Sequence, residues 1–441
     1  MSVREWIEEV STKQERIAHT ARNHAGESLK SVSHYIDLKW LYVAYLRTRK
    51  DGAVGIDGVT AEMYAENLKE NLERLLDAFK SGRYRAPAVR RVQIPKGTKG
   101  NETRPLSIPS FEDKVLQRAV LMVLEPIVET EFHEFSHGFR PKHSAHLALE
   151  EFWQKCQKMG GGWLIDMDIR KYFDTIDHRH LREMVRARVC DGVITRMIGK
   201  WLKAGILEDG SIIRPTRGTQ QGGVLSPLLS NLYLHEVLDS WYVETVQPRL
   251  KSTSFMVRFA DDALLMCRSK EDAQRIMEVL PKRFEKFGLQ LHPEKTKLVD
   301  FCRPSGGNRN QRKETFTFLG FTHYWKKSRK GFWVVGRKTE KSRLTRSLKA
   351  VTQWCRRNRH KRVREQWKHL CRVIKGHYAY YGITGNYRRL NEFHHLVKKI
   401  WHKWLNRRSR SKCLNWERFN AMMKYFTLPS PRIVHSYIAK L

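Results

Sequence analysis

Cysteine is scarce in this sequence, and none of it is arranged to bind metal or to build a disulfide scaffold. The seven cysteines include no Cys-x-x-Cys spacing, which argues against a zinc site and against a small secreted fold held by disulfides. The first ten residues contain three glutamates and no apolar stretch, so no signal peptide is predicted. We therefore expect reduced thiols in a cytoplasmic protein.

Long apolar runs and the familiar nucleotide-binding glycine spacings are also missing. The longest uncharged stretch, residues 218–235, is interrupted by Gly, Gln, Asn and Pro, which argues against a membrane-spanning helix. Residues 52–58 contain three glycines but fit neither the P-loop nor the dinucleotide-binding spacing. The sequence therefore predicts neither a membrane protein nor P-loop chemistry.

Acidic residues are few compared with basic ones. The chain has 46 Asp and Glu against 83 Lys and Arg, a formal net charge of +37, and so large an excess predicts a polyanionic partner. The excess is uneven, because residues 326–441 hold 32 basic and 4 acidic residues. This C-terminal part is predicted to bind nucleic acid, while the aromatic residues interleaved with its charge are predicted to form a helical core.

The apolar pattern predicts an α+β chain. Residues 1–50 are helical in pattern, Thr60 and Ser110 are predicted to cap helices, and residues 89–95 and 104–108 are predicted to form a hairpin. The helix after Thr60 is expected to continue to Gly82. From residue 338 the pattern is helical over roughly 338–358, 361–382, 386–406 and 415–425. A mixed part is thus followed by an all-α basic part.

Three aspartates are candidate metal ligands. Asp261 and Asp262 lie between two short apolar runs in residues 257–266, which predicts a hairpin with both acids at its tip. Asp168 belongs to the apolar strand 163–169. Adjacent carboxylates repel one another and favour a bound cation, and two strands carrying three carboxylates suit a site for two Mg²⁺ ions. An Asp-Asp pair alone is more often a solvated turn, so the neighbouring motifs must decide.

Further candidates surround these acids in the sequence. Lys96 and Arg104 lie at the tip of the 89–108 hairpin and suit a triphosphate, although two solvated turn cations are an equal alternative. Phe173 could exclude a 2′-hydroxyl beneath the sugar, whereas Tyr172 is predicted to be a core residue. These residues predict a nucleotide site next to the acids.

A glycine turn and a basic turn complete the candidates. Gln221 and Gly222, within residues 218–227, could line a nucleotide, because glycine lets backbone approach a ligand closely. Arg140, in the turn at 135–141, could contact a template base or phosphate. Each turn alone would mean little.

Taken together in order, these motifs resemble a group II intron-encoded reverse transcriptase/maturase of the bacterial type. The resemblance rests on Arg-Arg-Val-Gln-Ile-Pro-Lys at 90–96, His-Gly-Phe-Arg-Pro at 137–141, Asp-Met-Asp at 166–168, Tyr-Phe-Asp at 172–174, Gln-Gly-Gly-x-x-Ser-Pro at 221–227, Phe-Ala-Asp-Asp at 259–262, Pro-Glu-Lys-Thr-Lys at 293–297, Phe-Leu-Gly-Phe at 318–321 and Gly-His-Tyr-Ala-Tyr-Tyr at 376–381. It spans about residues 50–325 and continues into the C-terminal helices.

The resemblance implies a right-hand polymerase fold. A helical N-terminal extension over 1–60 would precede fingers and palm over 61–325, with a basic α-helical thumb/maturase region over 326–441. Asp168, Asp261 and Asp262 would hold two Mg²⁺ ions, and Asp166 would have a structural role. The nucleotide would be bound by Lys96, Arg104, Phe173, Gln221 and Gly222, and RNA by Arg140, Lys361, Arg362, Arg407 and Arg408.

The implied function is an RNA-directed DNA polymerase that binds its intron RNA, assists splicing and copies RNA into DNA for retrotransposition. Its partners would be intron RNA, an RNA template, a DNA primer or target, and dNTPs, in a bacterial cytoplasm and on the nucleoid. Nothing after Cys413 resembles the HNH nuclease of some members, so we expect no target cleavage. Alternatives are a domesticated enzyme in repair or defence, a splicing-only RNA-binding cofactor and an RNA-dependent RNA polymerase, against which Phe173 argues.

Overall fold

A computed structural model describes residues 2–95, 103–208, 210–304, 314–408 and 414–436 of the chain. Its helices are α1 Val3–Asn23, α2 Leu38–Arg47, α3 Ala61–Glu66, α4 Leu68–Lys80, α5 Phe111–Val128, α6 Ala145–Met159, α7 Tyr172–Thr175, α8 His178–Arg186, α9 Gly192–Leu202, α10 Ser226–Leu234, α11 Lys270–Lys286, α12 Lys341–Arg357, α13 Val363–Tyr381, α14 Tyr387–Leu405 and α15 Trp416–Tyr425. Its strands are β1 Val89–Pro95, β2 Thr103–Ile108, β3 Trp163–Met167, β4 Ile206–Glu208, β5 Ser211–Ile213, β6 Ser254–Phe259, β7 Asp262–Cys267, β8 Lys297–Asp300, β9 Phe316–Phe318, β10 Phe321–Lys327 and β11 Trp333–Thr339.

The chain forms two compact units. The first consists of Met1–Ala148 and Leu164–Leu298, and the second of Leu149–Trp163 and Val299–Leu441. The domain boundaries predicted at residues 60 and 325 were placed from sequence motifs. They stay a prediction. The α+β class with a helical C-terminal region is confirmed.

Two sheets position the candidate site. One has the strand order β6-β7-β3-β8, and the other has the order β2-β1-β4-β5. Strands β6 and β7 are buried along almost their whole length, because their apolar runs face covered surface on both sides. The predicted hairpin of β1 and β2 is confirmed, with Pro95 paired to Thr103.

The predicted helix caps are confirmed. The Ser110 hydroxyl accepts from the Asp113 N–H at the start of α5, and Thr60 accepts from the Met63 N–H at the start of α3. These hydroxyls satisfy amide groups that have no partner within the helix. The single helix expected between Thr60 and Gly82 is wrong, because Asn67 leaves helical geometry and divides it into α3 and α4.

The helices α12 to α15 of the second unit follow the four predicted ranges within a few residues. They pack around a core that includes Leu370, Ile374, Phe393 and Trp401. Some of the aromatic residues predicted to form a helical core, such as Trp401, are therefore buried in it. Strands β11, β10 and β9 form a sheet in the same unit. Within the described ranges, the helices lack the combination of length and hydropathy that crossing a bilayer requires.

Candidate active site

Two adjacent aspartates lie at the tip of the β6–β7 hairpin, which confirms the predicted hairpin. The register pairs Phe259 with Asp262, so Ala260 and Asp261 form the turn. Ala260 has a φ of 56°, a left-handed conformation that suits two-residue hairpins but strains an alanine. Asp261 is half-buried and Asp262 is exposed.

Asp166 and Asp168 bring two more carboxylates to this hairpin. Strand β3 lies beside β7 in the sheet, and Asp168 directly follows the last residue of β3. Burial, with the repulsion of Asp262 and Asp168, raises the pKa of Asp166 to about 7. Burial also raises the pKa of Asp261, and the charge of Asp168 adds to that effect. The structure thus brings the three predicted acids within electrostatic reach of one another, and Asp166 joins them.

The backbone of Asp168 is anchored by the segment at 292–296. The His292 N–H donates to the Asp168 carbonyl at 2.7 Å, and the Asp168 N–H donates to Thr296 Oγ1 at 3.3 Å. Lys295 Nζ lies 3.7 Å from Asp168 Oδ2. The Pro-Glu-Lys-Thr-Lys block therefore positions one of the acids, a role that the sequence alone did not assign to it.

The glycine turn at 218–222 links Phe173 to strand β2. The Thr219 N–H donates to the Phe173 carbonyl at 2.7 Å, and the Gln221 carbonyl accepts from the Ser107 N–H at 2.6 Å. A turn bonded on both sides in this way has little freedom to move. The segment with Phe173 and the segment with Gln221 and Gly222, both predicted to bind the nucleotide, are therefore held next to each other.

Gly222 is required by the close approach of this turn to β2. Its φ is 110°, and a Cβ on it would lie 2.6 Å from the Ser107 carbonyl oxygen and 2.8 Å from Leu106 Cδ1. Both its conformation and its surroundings therefore exclude a side chain. Gly222 is exposed on its other side, where backbone can face a ligand.

Arg104 acts on the acids through its charge. It is exposed on β2, and its positive charge opposes the rise in the pKa of Asp261. Phe173 is half-buried with its ring centroid 5.5 Å from that of Tyr172, and Tyr172 is a core residue, as predicted. Lys96 lies outside the described residues. The charge of Arg104 therefore acts on Asp261, and the Phe173 carbonyl is bonded to the glycine turn.

Residues 94–323, about half of the chain, match the family described as reverse transcriptase (RNA-dependent DNA polymerase). The chain belongs to this family. The matched residues include all four acids and the glycine turn, and the family implies a polymerase that depends on divalent metal ions.

Three relatives of known sequence show which reverse transcriptases this chain resembles. The protein YkfC of Escherichia coli K12 is 35% identical over 307 residues, which are 63% of this chain and 77% of YkfC. The group II intron-encoded protein LtrA of Lactococcus lactis is 32% identical over 305 residues, 66% of this chain and 50% of LtrA. A 91 kDa protein in the cob intron of Schizosaccharomyces pombe is 32% identical over 195 residues, 44% of this chain and 24% of that protein. The chain thus spans about half of LtrA, and the resemblance inferred from the motifs is confirmed.

The acids of this reverse transcriptase fit a divalent metal site. Carboxylate oxygens are the ligands that hard divalent cations prefer. Burial, with the charge of neighbouring carboxylates, raises the pKa of Asp166 and of Asp261, and a bound cation would stabilise their charged forms. Asp168, Asp261 and Asp262 are the residues that would hold it.

A second group of possible ligands in the described part of the chain does not form a metal site. Glu131, His235 and Glu236 have ligand atoms within 4.8 Å of one another. The Arg188 guanidinium already lies between both glutamates, at 2.6 Å from Glu131 Oε2 and in contact with Glu236. The positive charge between these two glutamates is therefore supplied by the Arg188 side chain.

A fully buried arginine, Arg258, holds the turn of the β6–β7 hairpin of this reverse transcriptase. Arg258 and Asp239 are both inaccessible to solvent. Arg258 Nε donates to Asp239 Oδ1 at 2.8 Å, and its Nη1 donates to Asn231 Oδ1 and to the Ala260 carbonyl, each at 3.0 Å. The guanidinium therefore fixes the turn that carries Asp261. Sequence reasoning missed this role, although an arginine within an apolar strand was a visible signal.

Gly138 packs directly against the same turn. A Cβ on Gly138 would lie 2.1 Å from the Ala260 backbone nitrogen and 2.8 Å from its Cα. The Gly138 carbonyl accepts from the Asn231 side-chain amide, which also contacts Arg258. The His-Gly-Phe-Arg-Pro motif therefore positions the hairpin.

Gly138→Ala is expected to lower the turnover of DNA synthesis by up to about 100-fold, because a displacement of about 1 Å at a catalytic group has this effect. The added methyl must push the Ala260 backbone, since both partners are main chain. Steady-state primer extension would show the loss in kcat. Gly52→Ala is the matched control, because a Cβ there meets no atom within 4 Å. Equal kcat values for both variants would contradict the positioning role.

Arg140 does not have the predicted template-binding role. It is buried, at 8% exposure, and its guanidinium donates to both carboxylate oxygens of Glu129 and to the carbonyls of His133 and Ser136. With its donors used inside the protein, it cannot reach a nucleic acid. The prediction is corrected, because Arg140 anchors the turn at 135–141 instead.

The four basic residues predicted to bind RNA in the second unit are exposed. Arg408 donates to the carbonyls of His360 and Lys361, which brings the end of α14 to the loop before α13. Arg407 stacks over the Trp404 ring with 5.2 Å to its centroid. Arg408 is thus placed beside Lys361, while an RNA-binding role for Lys361, Arg362, Arg407 and Arg408 stays a prediction.

Proposed function

We propose that the chain is an RNA-directed DNA polymerase that binds group II intron RNA, assists its splicing and copies RNA into DNA. The observation that carries this proposal is that the charge of Asp168 acts on Asp261 at the hairpin that also carries Asp262, in a chain of the reverse transcriptase family. The similarity to the group II intron-encoded LtrA supports intron RNA as a partner. The 32 basic and 4 acidic residues of 326–441 support a nucleic-acid surface.

The proposed chemistry is two-metal phosphoryl transfer from a dNTP. Two Mg²⁺ ions, when bound, would stabilise the charge on the attacking and leaving oxygens. Arg104, with Lys96, would orient the triphosphate, and the bare backbone at Gly222 would let the nucleotide approach. Phe173 would lie beneath its sugar.

Primer extension on an RNA template tests this function. We expect a DNA primer to be extended with dNTPs and Mg²⁺ and not in the presence of EDTA. Splicing of a group II intron RNA is measured with the same preparation. Splicing without any extension would indicate a splicing-only cofactor instead of a polymerase. Extension with ribonucleotides alone would indicate an RNA polymerase.

Phe173→Ala is expected to admit ribonucleotides, lowering the preference for dNTPs by about 10–100-fold, because the ring no longer excludes the 2′-hydroxyl. The measurement is the ratio of kcat/KM for one dNTP and its ribonucleotide. Tyr172→Phe is the matched control, since it keeps the neighbouring buried ring and removes only the hydroxyl that donates to the Ser230 carbonyl. A Phe173→Ala variant with unchanged sugar preference would show that this residue is not the sugar gate.

A further inference from the structure

An aromatic cavity lies in the second unit, apart from the residues of the polymerase site. It has a volume of about 430 Å³ and is lined by α12, α13 and Phe393 of α14, a size typical of pockets for small organic groups. Trp354 and His369 form part of its wall and are stacked face to face, with ring centroids 3.8 Å apart. Tyr380 and Tyr381 also line it. Such walls suit a flat ring.

Gly376 leaves this cavity open to solvent. It lies inside α13 and is exposed, and a Cβ on it would meet no atom within 4 Å. Its φ is not in the left-handed region, so neither backbone conformation nor packing requires a glycine. Glycine is also unfavourable inside a helix compared with alanine. The side chain that Gly376 lacks leaves space in the cavity wall.

His377 lines the same cavity and has an unsatisfied polar atom. It is 7% exposed, and its Nε2 has no hydrogen-bond partner among the described residues. Its ring stacks on Phe393 with centroids 3.7 Å apart. Burial lowers the pKa of His377 to about 4, so the ring is neutral at pH 7, with one donor and one acceptor nitrogen. Buried polar atoms normally have a partner, which a ligand can supply.

Positive charge flanks the cavity at two places. The charges of Arg343 and Arg346 act on Tyr381, and those of Arg372 and Lys361 act on His369. Arg343 also pairs with Glu340 at 3.6 Å, whereas Arg346, Arg372 and Lys361 are exposed. A ligand that combines a flat polar ring with neighbouring anionic groups matches this surface. Single-stranded RNA has this combination.

We propose that the cavity binds one unstacked base of single-stranded RNA, with the adjoining phosphates on the side of Arg346 and Arg372. The base would stack against the aromatic wall and hydrogen-bond to His377 Nε2. This inference takes its RNA partner from the proposed function and adds a site for recognising the base.

Fluorescence anisotropy with two labelled strands tests the cavity. One is a short single-stranded oligoribonucleotide, and the other is an abasic strand of equal length, both measured at one salt concentration because phosphate contacts depend on salt. The full chain is expected to bind the strand with bases about 5–100-fold more tightly. Gly376→Leu, which fills the cavity with a good helix former, is expected to remove most of this preference and to leave binding of the abasic strand unchanged.

Gly199→Leu is the matched control. Gly199 also lies inside a helix, α9, and a Cβ there meets no atom within 4 Å, so this variant should keep the full preference for bases. His377→Phe keeps a ring against Phe393 but removes both nitrogens. We expect it to retain stacking and to lose discrimination among strands of the four bases.

Two results would overturn the inference: equal affinity of the unmodified chain for both strands, or an unchanged preference in Gly376→Leu. Neither result would affect the proposed polymerase, which is measured separately by primer extension. Conversely, a chain that binds bases in this way but never extends a primer would support the base-binding cavity and contradict the proposed polymerase activity.

Discussion

Asp261→Ala is expected to abolish DNA synthesis, with a loss of at least about 1,000-fold, while leaving RNA binding intact. The carboxylate of Asp261 is half-buried and lies within the electrostatic reach of Asp168. Stabilisation of the transferring phosphate by metal ions contributes several kcal/mol, and each loss of about 1.4 kcal/mol slows the reaction tenfold. Primer extension on an RNA template measures the loss, and filter binding of the same RNA measures the affinity.

Asp77→Ala is the control for removing an acidic charge. Asp77 is an exposed residue of α4 whose carboxylate pairs with Arg83, and its loss should leave extension unchanged. RNA affinity should be equal or slightly higher in Asp261→Ala, because one negative charge has been removed. Normal extension by Asp261→Ala would refute the assignment of the acids as the catalytic centre.

Arg258→Met is expected to lower the free energy of unfolding by about 3–5 kcal/mol, because it leaves Asp239 buried without its cation. The neighbouring His235 cannot replace that cation. Its Nδ1 lies 3.9 Å from Asp239 Oδ2, but burial lowers the pKa of His235 to about 3, so it is neutral at pH 7. Urea unfolding followed by fluorescence measures the change.

The double variant Arg258→Met, Asp239→Leu separates stability from positioning. Replacing a buried ion pair by apolar side chains is often neutral or stabilising, so we expect most of the lost stability to return. Activity should stay low, because no donor then holds the Ala260 carbonyl, which Arg258 Nη1 contacts at 3.0 Å. If the double variant recovered both stability and kcat, Arg258 would be a stability residue without influence on the hairpin.

Much of the local structure follows directly from the sequence. Helices α12 to α15 and the β6–β7 hairpin were predictable because period, turn chemistry and capping are properties of neighbouring residues. Thr60 and Ser110 illustrate this, since each hydroxyl caps an amide three residues away. The break at Asn67 was not predictable in the same way, because the apolar face continues through it.

The order of the motifs was enough to identify the family, but it could not assign a role to every charged side chain. Arg140 was predicted to bind template because it lies in a basic turn. It is instead buried against Glu129, eleven residues away in the sequence. An isolated sequence does not show which arginines find an internal carboxylate.

By itself, the sequence determined the C-terminal helices, the two hairpins, the family and the three acids of the proposed catalytic centre, because each depends on short patterns. Only the tertiary structure decided what holds those acids in place. Gly138 meets the turn at Ala260 across 122 residues of chain, and Arg258 meets Asp239 within a buried network. Such contacts arise from packing between distant segments, where shape and desolvation select the partners. No local pattern encodes them.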